Sequence, residues 1–137
     1  DIENSISFEG DTGPYIQYTH ARACSILTKY SAANPSVDTL SFSDTSVSLE
    51  AEEAVLVRTL HQYIDVLQSS AKNDSPNYLC EYLFNLAQKF NHFYTTMPII
   101  GEKDASKQLL RLRITHTTIY VLKDALNLLG IQAPEQM

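Results

Sequence analysis

Long apolar runs are missing from this sequence: no stretch approaches the roughly 18 residues needed to cross a bilayer. The first residues, Asp1-Ile2-Glu3-Asn4, lack the basic start and apolar stretch of a secretion signal. A cytoplasmic chain with no membrane partner is expected. Cysteine is scarce, with Cys24 and Cys80 far apart and neither in a CxxC pattern. That argues against a disulfide framework or a zinc ribbon, and both are read as buried free thiols inside helices. Basic excess is also absent: 10 Lys and Arg stand against 16 Asp and Glu, a formal charge of −6. Such a chain does not grip nucleic acid by bulk electrostatics, which needs clustered cations, and DNA is not expected as a partner. Nor does a glycine-rich phosphate loop follow a strand, and no convergent acid, base and nucleophile can be assembled locally. No catalytic residue is therefore assigned.

What remains is a chain of 137 residues, 44% hydrophobic and 19% charged, with 4 Gly and 5 Pro, which suits one soluble globular domain and excludes a disordered or fibrous one. Charge is uneven. Residues 1–100 hold 12 acids against 5 bases, and residues 101–137 hold 4 against 5, so a polyanion would favour the C-terminal side.

Apolar residues recur with helical period in four segments, which predicts an all-α single helical bundle with minor strand content. The first helix is expected from Pro14 to just before Asn34-Pro35, carrying Tyr15, Tyr18, Ala23, Ile26, Leu27 and Tyr30. Residues 34–47 read as a surface connection with scattered apolar anchors. Ser48 is expected to cap a second helix that runs to Lys72-Asn73-Asp74, with Leu49, Leu56, Leu60, Tyr63, Ile64 and Leu67 inward. A third starts at Ser75-Pro76, buries Leu79, Leu83, Leu86, Ala87, Phe90, Phe93 and Met97, and stops at Pro98. The fourth starts near Asp104 to Ser106 and ends at Gly130, with Ile131 packing back.

Among polar residues, Tyr15, Tyr18 and Arg22 fall at i, i+3 and i+7 on one face of the first helix, beside Asp11, Gln17 and His20. Two aromatics and a guanidinium in one stripe suit stacking on bases while the arginine meets a phosphate. Spacing alone favours the other reading, in which both tyrosines pack against the next helix and Arg22 meets a carboxylate. His20 and Cys24 share a face that would supply two zinc ligands, but two more would have to come from distant helices, and no metal is expected. His61, His92 and His116 stand singly and receive no acid or base role. Lys103, Lys107, Arg111, Arg113 and Lys123 are read as a solvated face.

The string Phe8-Glu9-Gly10-Asp11-Thr12-Gly13-Pro14-Tyr15-Ile16-Gln17-Tyr18-Thr19-His20-Ala21-Arg22 resembles the segment that joins the catalytic and anticodon-binding domains of arginyl-tRNA synthetases. Cys80-Glu81-Tyr82-Leu83-Phe84-Asn85-Leu86-Ala87, then Phe90, Phe93-Tyr94, Leu128-Leu129-Gly130-Ile131 and the ending Pro134-Glu135-Gln136-Met137 are similar to that family's C-terminal helical domain, the DALR type. The naming motif stands here as Asp124-Ala125-Leu126-Asn127, without its final arginine.

The resemblance implies that residues 1–13 are the tail end of a catalytic domain and a linker, with Ile2 to Phe8 a leftover strand of it, and that residues 14–137 are a bundle of the kind that binds anticodons in class I aminoacyl-tRNA synthetases. It implies recognition of the anticodon stem and loop of arginine tRNA, through positions matching Asp11, Tyr15, Tyr18, Arg22, Tyr94 and Met137. A tyrosine ring can stack on an unpaired base and a methionine offers an adaptable apolar face, so such binding does not need basic charge. It further implies a partner catalytic domain in the same polypeptide that uses ATP and magnesium to attach arginine. The signatures of that chemistry are absent from this chain, which by itself should be inactive and hold no cofactor. A stand-alone relative that docks another protein is the alternative reading.

Overall fold

The computed structural model describes residues 11–38 and 47–137. Five helices are present among them, and no strand: α1 (Gly13–Ala33), α2 (Ala51–His61), α3 (Tyr63–Lys72), α4 (Asn77–Thr96) and α5 (Ala105–Leu128). The expected leftover strand at Ile2 to Phe8 lies outside the described residues, as does most of the 34–47 connection, Leu40 and Phe42 included.

α1 opens with Pro14 in its first turn, where a missing amide hydrogen is harmless, and closes at Asn34, whose backbone and side-chain nitrogens both donate to the Tyr30 carbonyl. α4 carries a long buried apolar stripe. Leu83, Leu86, Ala87, Phe90 and Phe93 are fully buried there and face Ile16 and Ala23 of α1, Leu56 of α2 and Leu112, Leu122 and Leu126 of α5 in one core. α1 packs on α4 and α5, α2 on the same two helices, and α3 on α4.

The second expected helix is two. Glu50, not Ser48, stands at its N-cap, and its amide donates to the Glu53 carboxylate at 2.8 Å, the return arm of a capping box. At Gln62 the helix tightens: the Gln62 amide donates to the carbonyl of Thr59, three residues back, and the Tyr82 hydroxyl on α4 donates to that same carbonyl at 2.7 Å. A side chain inserted into the ladder breaks a helix in this way. The break shifts the apolar face, so Tyr63 is buried and Val66 and Leu67 pack on the core, while Ile64, expected inward, is 59% exposed. Leu49 also faces outward, because it precedes the first turn.

Below the break, the Tyr63 ring stacks on Tyr82 with centroids 5.8 Å apart, and its hydroxyl donates to Asp124 of α5. Burial, then the hydrogen bond to Asp124, raises the Tyr63 pKa above that of an ordinary phenol. In the Asp124-Ala125-Leu126-Asn127 motif the first residue thus ties α5 to α3, Ala125 and Leu126 are fully buried, and Asn127 is exposed. An arginine can be lost at that last position without touching the core.

Arg111 corrects the basic-face expectation. It is 2% exposed, and a single guanidinium joins three elements. Nε donates to Glu53 of α2 at 2.8 Å, Nη1 to the Pro98 carbonyl and to Glu102 at 2.8 Å each, and Nη2 to Glu50 at 3.0 Å. Burial disfavours its charge, but the hydrogen bonds and charges of Glu53 and Glu102 outweigh that and raise its pKa. Lys103, Arg113 and Lys123 are exposed, and Lys107 lies 4.0 Å from Glu50.

Candidate nucleic-acid interface

The middle of α1, the C-terminal end of α4 and the segment after α5 surround an open cavity of about 450 Å³. Its walls bring together four of the six residues singled out above: Tyr18 and Arg22 from α1, Tyr94 from α4, and Met137. Arg22 is the centre. Its guanidinium carbon lies 5.0 Å from the Tyr18 ring centroid and 4.5 Å from that of Tyr94, both within cation–π range, and Nη2 donates to the Tyr18 hydroxyl at 3.2 Å. Tyr18, Tyr94 and Met137 are 46%, 39% and 68% exposed, so an apolar and aromatic surface faces solvent around Arg22.

Asn91 aims that cation. Arginine can only donate, so the Asn91 oxygen must face Arg22 Nη1, 2.8 Å away. The amide nitrogen is thereby turned toward the Tyr15 hydroxyl at 3.0 Å and Thr19 Oγ1 at 2.9 Å. Every hydrogen-bonding group of the Asn91 amide points at α1, which fixes the guanidinium between its two rings before any ligand arrives.

The other two singled-out residues stand apart. Tyr15 packs on the core with its ring 5.6 Å from that of Phe84 and reaches the site only through Asn91. Asp11 is exposed ahead of α1 and is not among the residues lining the cavity. The stripe divides: Tyr15 packs on α4, Tyr18 and Arg22 face outward, and Arg22 meets an amide in place of a carboxylate. Lys29, which also lines the cavity, was missed although it continues the stripe seven residues past Arg22. Asn91 had a signal as well, since it lies three residues before Tyr94 on the same helix face.

His20 and Cys24 do approach each other, with Cys24 Sγ 3.7 Å from His20 Nε2, but among the described residues no group of three or more His, Cys, Asp or Glu could hold a metal ion. The thiols are free and half-buried. Burial first, then the nearby Glu135 charge, raises the Cys24 pKa, so the thiol keeps its proton at neutral pH.

The described residues thus form a helical bundle with an exposed aromatic and arginine cluster beside its C-terminal segment. Residues 16–137 match the model of the DALR anticodon binding domain, and the chain belongs to that family. It is 42% identical over 137 residues to an arginine–tRNA ligase of Lactococcus lactis and 38% identical over 135 residues to that of Flavobacterium psychrophilum, covering 100% and 98% of the chain. The solved arginyl-tRNA synthetase of Thermus thermophilus superimposes with a TM-score of 0.77 at 31% identity over 98% of the chain. The chain spans 21% to 23% of the length of these relatives. Among the described residues no helix is long and apolar enough to cross a membrane.

Proposed function

We propose that this chain is the part of an arginine–tRNA ligase that recognises the anticodon stem and loop of arginine tRNA, with the cavity around Arg22 as the place where unpaired bases are held. The observation that carries this reading is the guanidinium set between two exposed tyrosines and walled by Met137. Rings and a methionine offer faces on which any base can stack, and the arginine supplies the one charge a backbone phosphate needs, which suits a chain of net charge −6. Tyr18, Arg22, Tyr94 and Met137 touch the nucleic acid in this reading. Tyr15 supports them through Asn91, and Asp11 stands outside the cavity.

Residues 1–13 would lead from a catalytic domain in the same polypeptide, which binds ATP with magnesium and joins arginine to the tRNA in the cytoplasm. The 137-residue chain alone carries none of that chemistry.

The test is a titration of the chain, at fixed salt, with arginine tRNA and with a copy altered at the middle anticodon base. Preference for the unaltered tRNA is expected. Tyr94→Ala should weaken binding by a factor of roughly 5 to 150, the worth of about 1–3 kcal/mol for one stacked base, with helix content unchanged. Equal affinity of Tyr94→Ala and the parent would count against the cavity as the site.

A further inference from the structure

Past α5 the chain leaves regular structure, and its last seven residues are held by side chains of α1. His20 Nδ1 lies 2.8 Å from the Pro134 carbonyl, and Gln17 Nε2 donates to the Gln132 carbonyl at 3.0 Å. Since a carbonyl only accepts, the proton on the His20 ring must sit on Nδ1. In the neutral ring Nε2 is then an acceptor, and it faces the protonated Cys24 thiol at 3.7 Å. His20 is 1% exposed, and its two nitrogens are thus used in one direction: thiol to ring, ring to the backbone of the C-terminal segment. Immediately beyond the clamped Pro134, Glu135, Gln136 and Met137 wall the Arg22 cavity, and all three are exposed.

We infer that His20, assisted by Gln17, is a positioning residue for nucleic-acid recognition: its bond to Pro134 places residues 135–137 as one wall of the cavity. His20 touches no ligand. It lies on the same helix as Tyr18 and Arg22, so one element carries both the binding side chains and the anchor that sets the opposite wall. Anchoring the backbone and leaving the three following side chains exposed keeps the wall ordered before binding, which lowers the entropy lost when a base enters. The inference rests on the cavity being the site proposed above.

Two measurements separate the clamp from that reading. The first is the backbone order of Glu135, Gln136 and Met137 by nitrogen-15 relaxation, which needs no nucleic acid. His20→Ala should lower their order parameters toward values below about 0.6, Gln17→Ala should do so less, and His20→Asn, which keeps a donor near the Nδ1 position, should restore them. The second is affinity for arginine tRNA. His20→Ala should weaken binding to the level of a chain shortened by residues 135–137, and the shortened chain carrying His20→Ala should bind no worse than either, because both changes remove the same wall. Should His20→Ala fail to fold, Gln17→Ala and His20→Asn still decide the matter, since Gln17 lies outside the core. The inference is overturned if the segment stays ordered in the variants lacking either bond, or if the losses from His20→Ala and from shortening add in full. A parent chain that shows no preference for arginine tRNA would sink the proposed function, while the order parameters would still decide whether His20 anchors the segment.

Discussion

A single buried cation shows how much one residue can organise. Arg111 binds three carboxylates and a carbonyl from α2 and the 97–104 connection, and its charge was visible in the sequence while its burial was not. Its spacing from Lys107 suggested a solvated face, because Glu50 and Glu53 lie about sixty positions away in the chain and helical period reports nothing about such partners. The energetic consequence is asymmetric. Removing Arg111 leaves Glu53, 1% exposed, without its counter-charge, and breaking a buried pair by deleting one partner costs about 3–5 kcal/mol. Arg111→Met should therefore lower the urea-unfolding free energy by that amount. Glu50→Gln, at a side chain 46% exposed, should change it by less than about 1 kcal/mol. An Arg111→Met loss as small as that of Glu50→Gln would mean that the cluster contributes little and that Glu53 finds another partner.

At the scale of elements, two helices stop by the same device with different residues. After α5, Gly130 takes φ +75°, the Ile131 amide donates to the Leu126 carbonyl and the Gly130 amide to that of Asn127. After α3, Asp74 takes φ +47°, with Ser75 bonded to Ser70 and Asp74 to Ala71 in the same pattern. A side chain at Gly130 would meet nothing within 4 Å, so Gly130→Ala isolates the backbone penalty of the left-handed conformation, about 1–2 kcal/mol by urea unfolding. A neutral Gly130→Ala would show that the end of α5 unwinds freely, and with it the base of the segment that walls the cavity. Both stops were legible as local residue choices, as were the buried stripe of α4 and the Asp104 cap of α5, whose carboxylate accepts from Ser106 and Lys107. The division of α2 from α3 was not legible, because the Tyr82 hydroxyl that interrupts the ladder comes from another helix. The site divides likewise. Tyr18 and Arg22 were readable from spacing, Tyr94 and Met137 entered only through family resemblance, and the roles of Asn91 and His20 depend on contacts across 69 and 114 positions.

For the whole molecule, the balance of charge decides what kind of binding the bundle can support. With a net charge of −6 and Arg111 internally neutralised, the cations lining the cavity are Arg22 and Lys29, opposed by Glu135. Each phosphate neutralised releases counterions and steepens the fall of log affinity with log salt by about 0.7 to 0.9. Two cations therefore predict a slope between about −1 and −2, a loss of roughly four- to sixteen-fold in affinity for arginine tRNA between about 50 and about 200 mM salt. Stacking on Tyr18, Tyr94 and Met137 would supply the salt-insensitive remainder. Titrations across that range read the slope directly. A slope steeper than about −4 would require more phosphate contacts than the cavity can make and would bring the exposed Lys103, Arg113 and Lys123 into the interface. In that case Lys103→Ala and Lys123→Ala should each flatten the slope by about one phosphate's worth, whereas with the cavity as the main contact they leave it unchanged and Arg22→Ala flattens it.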